Sequence, residues 1–199
     1  MTTPKTHTLD EVTVIERAKA GDEKAFRDLV HRYEDTVYRF AFNVCRNEEM
    51  ATDTLQNTFI NVYNKLDSFD GRSKFSTWLY SIVTNNCLMK RRSIRTHDKE
   101  LSLEDEKILH DAETSLLSSR ETSPMGSLLN EELKHIFDEA IKKLPVDYRI
   151  VFVMRDIEDM SAAEVSKILG ISVAAVKSRL FRAREFLRKV LEPYVEGKL

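Results

Sequence analysis

The sequence predicts an all-α protein made of two small helical domains, residues 10–95 and 129–195, joined by a flexible acidic linker over residues 96–128. Three observations carry this. Only five Gly and four Pro interrupt 199 residues, so long helices are expected. Apolar residues recur at the helical period in two blocks. Between those blocks the periodicity fails, and residues 98–132 hold ten acidic side chains against three basic ones.

In the first block, Val14, Ile15 and Ala18 mark a short helix. Gly21-Asp22 ends it and caps the next, in which Phe26, Leu29, Val30, Tyr33, Val37, Tyr38, Ala41 and Phe42 keep helical spacing. Asn47 marks a turn, and Glu48-Glu49 suit the positive end of the dipole of a third helix. That helix is expected to bury Leu55, Phe59, Val62 and Leu66 and to show Asp53, Gln56 and Asn57 on another side. Residues 69–74 read as a loop. A fourth helix then starts at Phe75 and runs to the basic cluster Lys90, Arg91, Arg92 and Arg95. From Arg72 to Arg95 there are six Lys/Arg and no acid, with Phe75, Trp78 and Tyr80 among them. Single-stranded nucleic acid needs this combination: charge for phosphates, flat rings for unstacked bases. The plainer alternative is that these rings are core aromatics.

In the second block, Leu129, Leu133, Ile136, Phe137, Ala140, Ile141 and Leu144 form an amphipathic helix stopped by Pro145. Asp147 is expected to cap the next helix, with Ile150, Val151, Phe152 and Met154 as its apolar residues, and residues 156–160 to form a turn. Ser161 and Glu164 make the S-x-x-E pattern of a capping box. Val165, Ile168 and Leu169 give that helix a buried face, and Gly170 stands where a left-handed C-cap is expected. Ser172 caps a last helix with a core stripe of Val176, Leu180, Ala183 and Leu187. Its other sides carry Lys177, Ser178, Arg179, Phe181, Arg182, Arg184 and Arg188. Residues 170–192 hold six Lys/Arg against two Glu, in a chain whose net charge is −2. A capped helix, a Gly turn and a basic second helix together form a helix-turn-helix, which sets its second helix in the DNA major groove.

Other classes lack support. The five His have no metal-ligand spacing, and no carboxylate cluster, nucleophile–base pattern or phosphate-binding Gly loop is present, so no cofactor or metal is expected. The start of the chain lacks the apolar core of a signal peptide, and no apolar run is long enough to span a membrane, which points to a soluble cytoplasmic protein. Cys45 and Cys87, far apart in apolar-patterned segments, read as buried thiols in a reducing compartment, with no disulfide and no redox sensor expected.

The chain resembles a bacterial RNA polymerase sigma factor of the extracytoplasmic-function (ECF) group. The resemblance rests on GDEKAFRDLVHRYEDTVYRFA, DTLQNTFINVYNKLDSF and FSTWLYSIVTNNCLMKRR in the first half, and on LPVDYRIVFVMRDIEDMSAAEVSKILGISVAAVKSRLFRARE in the second. It implies a sigma-2 domain at 10–95, a sigma-4 domain at 129–195 and no sigma-3 domain. It further implies a factor that binds core polymerase, recognises the −10 and −35 promoter elements and melts DNA, without a catalytic site of its own. Asp53, Gln56 and Asn57 match the family positions that dock on the β′ clamp. Gly71, Arg72, Ser73, Lys74 and Phe75, with Trp78, Tyr80, Asn85, Asn86 and the cluster Lys90, Arg91, Arg92, match those that open the −10 element. There, capture of an unpaired base on a ring, about 1–3 kcal/mol, offsets lost stacking of about 1.4 kcal/mol per step. Lys177, Ser178, Phe181 and Arg182 match the base-facing side of the −35 helix; Arg179, Arg184 and Arg188 suit phosphates. Lys177 stands where Arg is frequent in the family, which leaves a point charge in place of a planar fork. The implied partners are the polymerase core (β′ clamp and β flap), promoter DNA and an anti-sigma factor, with no direct membrane insertion. The linker would thread the RNA-holding channel of the polymerase as a polyanion mimic. Two other classes compete with this reading: a stand-alone helix-turn-helix regulator, which would not bind polymerase, and a nucleic-acid-processing enzyme.

Overall fold

Residue register decides where each helix turns its apolar face. The computed structural model describes residues 10–95 and 131–195, all of them helix or short connection, and the chain divides into two compact units between Cys87 and Leu88. This division falls inside the fourth helix, before the boundary expected at residue 95. The acidic linker at 96–128 lies outside the described residues.

In the first unit, α1 (Glu11–Lys19), α2 (Glu23–Cys45), α3 (Glu48–Lys65) and α4 (Phe75–Arg95) follow one another, with a 3₁₀ turn at Leu66–Ser68. Gly21 takes φ 86°, in the left-handed region that glycine enters without a Cβ clash, and so ends α1. Asp22 then caps α2 by accepting from the Lys24 and Ala25 N–H groups at 2.9 and 3.1 Å. Asn47 caps α3 by accepting from the Met50 N–H at 2.8 Å. The core collects Val14, Leu29, Val37, Phe40, Val44, Val62, Phe75 and Val83.

The buried stripe of α3 meets expectation at Val62 and, just past the helix, at Leu66, and differs before them. Ala51, Thr54, Thr58 and Val62 face inward, whereas Leu55 and Phe59 are half-buried. The helix is rotated by about one residue because the two threonines find polar neighbours inside: the Asn86 amide donates to Thr58 Oγ1 at 3.0 Å, and Thr54 Oγ1 lies 4.0 Å from Cys45 Sγ. A buried hydroxyl with a partner carries little penalty, and threonine methyls pack as well as small apolar groups.

The second unit contains α5 (Glu131–Lys143), α6 (Val146–Phe152), α7 (Ala162–Leu169) and α8 (Val173–Val195). Pro145, not Asp147, occupies the cap of α6; its carbonyl accepts from the Tyr148 and Arg149 N–H groups, both at 2.9 Å. Asp147 instead sits in the first turn, where its charge still favours the dipole. The expected turn at 156–160 starts late, because a π-helical turn over Val153–Ile157 extends α6, closed by the Glu158 N–H on the Val153 carbonyl at 2.9 Å. Arg149 is buried and donates through Nη2 to the carbonyls of Lys142 and Leu144 at 2.6 and 2.8 Å, so a side chain satisfies the end of α5.

Two outcomes test these ties. Ser161→Ala should cost about 1 kcal/mol of the second unit's stability in urea unfolding, because it removes the hydroxyl that accepts from the Glu164 N–H and leaves only the backbone half of the capping box. For Asp22, the Ala25 N–H first and Arg17 next hold the carboxyl below the ordinary carboxylate range. A depressed pKa makes the cap complete at neutral pH and lost only on acidification through the lowered value, and the Ala25 amide shift should titrate there by NMR.

Candidate functional site

On α3, the side opposite the Thr54–Thr58 stripe carries Asp53, Gln56 and Asn57, all exposed. The face continues through Ile60 at 57% exposure and Tyr63 at 66%, with Phe26 meeting the Tyr63 ring edge-on at 5.1 Å. Ile60 and Tyr63 were not singled out from the sequence. The signal that reveals them is the register of the threonine stripe, which turns both residues outward.

The loop before α4 is closed at its base. Phe69 and Phe75 pack edge to face at 5.4 Å, Phe75 also meets Tyr33 at 5.2 Å, and Lys19 Nζ donates to the Phe69 carbonyl at 2.6 Å. Between them Gly71, Arg72, Ser73 and Lys74 are exposed, with Gly71 at φ 73°. Asp70 accepts from the Arg72 N–H at 3.0 Å and from its guanidinium, which holds the Asp70 carboxyl below the ordinary range.

On α4 the expected residues part company. Phe75 and Tyr80 are buried, the latter against Phe40 at 5.0 Å, so neither offers a free face to a base in this conformation. Packing takes precedence there because both rings lie on the core side of the helix. Asn86 is half-buried and spans to α3, donating to Thr58 and accepting from the Asn61 amide at 2.9 Å. Trp78 is half-buried with part of its ring outside, packed on Phe69 and Phe75 at 5.4 and 5.5 Å. Asn85 is exposed, and Met89 at 66% exposure extends the outer side, although a lone methionine gave no signal in the sequence. The backbone of α4 runs on through Lys90, Arg91 and Arg92, whose side chains lie outside the described residues.

In the second unit the helix-turn-helix takes the expected form. Ser161 accepts from the Glu164 N–H at 3.2 Å, while Glu164 accepts from the Ser161 N–H at 2.9 Å. Gly170 has φ 65°, Ser166 Oγ donates to the Ile171 carbonyl at 2.6 Å, and Ser172 accepts from the Ala175 N–H at 3.1 Å. Val165, Val176, Leu180, Ala183 and Leu187 are buried. Lys177, Ser178 and Phe181, the last 51% exposed, line the outer side of α8, with Arg184 and Arg188 also exposed; Arg179 and Arg182 are half-buried. Arg182 Nη1 lies 3.4 Å from Tyr148 Oη. Arg184 donates twice to Asp156, at 2.8 and 2.6 Å, a pairing that raises its pKa, and Arg188 donates to Glu185 at 2.7 Å.

Two family models match the chain: Sigma-70 region 2 over residues 29–97 and Sigma-70, region 4 over residues 134–187. The ECF RNA polymerase sigma factor SigW of Bacillus subtilis is 37% identical over 180 residues, which span 89% of this chain and 94% of that protein. The chain belongs to the ECF sigma factors of the sigma-70 family. Among solved structures, CnrH in complex with the cytosolic domain of CnrY aligns with a TM-score of 0.60 at 26% identity, covering 90% of this chain and 96% of that one. The sigma factor RpoE in complex with the anti-sigma factor NepR, from Bartonella quintana, aligns with a TM-score of 0.62 at 24% identity over 85% and 98% of the two chains, a likeness of fold. Among the described residues, no helix is long and apolar enough to cross a membrane, and no group of three or more His, Cys, Asp or Glu is placed to hold a metal ion.

The Asp156–Arg184 pair gives a direct test of the phosphate role. Asp156→Ala should release the Arg184 guanidinium, raise affinity for duplex DNA of any sequence, and steepen the log K against log salt slope by about 0.9. An unchanged slope in filter-binding titrations would remove Arg184 from the phosphate contacts.

Proposed function

We propose that the two units read a promoter at two points, with the first unit also holding the polymerase. As an ECF sigma factor, the protein directs RNA polymerase to promoters and initiates transcription. The observation that supports the residue-level reading most is the outer side of α8, where Lys177, Ser178 and Phe181 stand exposed beside Arg182, all on a capped helix-turn-helix. We assign this face to the −35 element as duplex. Phe181 offers an apolar edge for a thymine methyl or a sugar, and Arg182, steadied near Tyr148, offers a fork for guanine.

In the first unit we assign Asp53, Gln56 and Asn57 to the β′ clamp, with Ile60 and Tyr63 as an apolar extension of that face. A polar patch with exposed apolar neighbours on one helix side is the composition of a protein docking surface, not of a plain solvated face. The −10 element falls to the loop Gly71–Lys74, the outer edge of Trp78, and Asn85. Phe75, Tyr80 and Asn86 serve that surface indirectly, by fixing the loop base and the α3–α4 spacing. The protein works as a specificity subunit with no catalytic group of its own, in the cytoplasm where polymerase acts, and an anti-sigma factor is its natural regulator. The solved sigma factor of like fold bound to an anti-sigma factor supports that last assignment.

Transcription with core polymerase on a library of randomised promoters tests the reading as a whole, since active templates should share two separated motifs. Failure to stimulate any template would overturn it. Single variants divide the roles. Arg182→Ala should lower use of −35-dependent promoters by about 5- to 150-fold, the loss of about 1–3 kcal/mol of base discrimination, while polymerase binding stays intact. Asp53→Ala combined with Gln56→Ala should weaken polymerase pull-down with unchanged helical circular dichroism.

A further inference from the structure

Cys45 and Cys87 are the protein's two cysteines, and the fold brings them together. Cys45 is the last residue of α2, and Cys87 lies in α4. Their sulfurs are 3.8 Å apart, both in the reduced state. A disulfide bond is about 2.05 Å long, so closure asks the two sulfurs to approach by less than about 2 Å. Cys45 ends its helix, next to the left-handed Arg46, whose N–H closes that end on the Phe42 carbonyl at 2.7 Å. Its sulfur also lies 4.0 Å from Thr54 Oγ1. The two thiols also differ in access: Cys45 is half-buried and Cys87 buried. An accessible thiol beside a sheltered one is the arrangement in which the first is oxidised and the second resolves it.

We propose that this pair is a site of oxidative modification, at which a hydroperoxide converts the two thiols into an intramolecular Cys45–Cys87 disulfide. The Cys45 thiolate attacks the terminal peroxide oxygen. The O–O bond breaks, leaving a sulfenic acid on Cys45 and releasing an alcohol, or water where the oxidant is hydrogen peroxide. The Cys87 sulfur then attacks the Cys45 sulfur, the S–S bond forms, and the departing hydroxide leaves as water with the Cys87 proton. Two electrons pass from the sulfurs to the peroxide, and a dithiol reductant returns them by exchange. The bond would fasten the end of α2 to α4 beside the side chains that tie α4 to α3, since Asn86 precedes Cys87 and Thr54 touches Cys45. Cross-linking residues 42 apart restricts the unfolded chain, so the oxidised first unit should melt at a higher temperature.

The full-length protein, exposed to hydrogen peroxide and then alkylated in denaturant without reductant, decides the matter by mass spectrometry. A monomer that has lost two alkylatable thiols, a cross-linked Cys45–Cys87 peptide, and an upward shift of several degrees in the first unit's unfolding midpoint are expected, all reversed by dithiothreitol. Cys45→Ser should abolish both the cross-link and the shift; if that variant does not fold, the peptide map of the unaltered protein still decides. Two intact thiols at a dose that oxidises a free dithiol, sulfinic acid on Cys45 beside an unmodified Cys87, or a cross-link only between chains would each overturn the proposal.

Discussion

The first unit depends on the meeting of Phe69 and Phe75 at 5.4 Å. These residues flank the loop that carries Gly71, Arg72, Ser73 and Lys74. With its two ends pinned by one edge-to-face contact, the loop is held as a closed excursion, and its exposed residues project from a fixed base. Tyr33 from α2 and Trp78 from the first turns of α4 complete the cluster, so two helices hold one short loop. Aromatic pairs of this kind contribute about 0.5–1.5 kcal/mol each beyond the area they bury. The Lys19 ammonium adds a hydrogen bond to the Phe69 carbonyl and lies 5.7 Å from the centre of its ring. For the proposed capture of an unpaired base by this loop such rigidity is favourable, because any ordering left until binding would be subtracted from the stacking energy.

The second unit solves a related problem with charge. Its core is small, and arginines do part of the work that apolar residues do in larger domains. Arg149, buried, ends α5 by bonding two carbonyls. Arg155 donates to the Met160 carbonyl and closes the connection after the π turn, and Arg184 ties α8 to that turn through Asp156. The same residue type thus serves structure here and, in the proposed reading, recognition. Exposure separates the two roles better than sequence does: Lys177 and Ser178 face outward with no such tie to another helix, whereas Arg184 has a carboxylate on two of its nitrogens.

Much of this was legible in the residues. Gly21, Gly170, Asp22, Asn47, Ser161 and Ser172 announce helix ends because caps and left-handed turns use local chemistry, and each holds its expected place. The stripe of Val176, Leu180, Ala183 and Leu187 was clear because apolar period and burial coincide. In α3 they do not. Leu55 and Phe59 look like core, but the buried residues include Thr54 and Thr58, whose partners come from α2 and α4 and are invisible along the sequence of α3. The basic and aromatic stretch after Arg72 meets the same limit. Composition shows that rings and charges are present, but not which rings the core takes, and it took Phe75 and Tyr80. The π turn at Val153–Ile157 has no sequence signal, since it adds one residue to a turn without changing residue type.

The charge balance favours the proposed pair of weak contacts over one strong one. A chain with a net charge of −2 gains little from long-range attraction to DNA, although residues 170–192 and 72–95 carry local charges of +4 and +6. The acids that cancel them are concentrated in residues 98–132, which lie between the two basic segments in the sequence. These acids help bring the net charge of the whole chain close to zero, which lowers its long-range attraction to nonspecific duplex. Tethering changes the balance. Once one unit is fixed to polymerase, the other meets DNA at an effective concentration set by the chain between them, and a contact too weak to matter in solution becomes sufficient. Selectivity follows from the same weakness. Two marginal contacts that must be made together discriminate against sites offering only one, whereas a single strong contact would hold the protein on DNA away from any promoter.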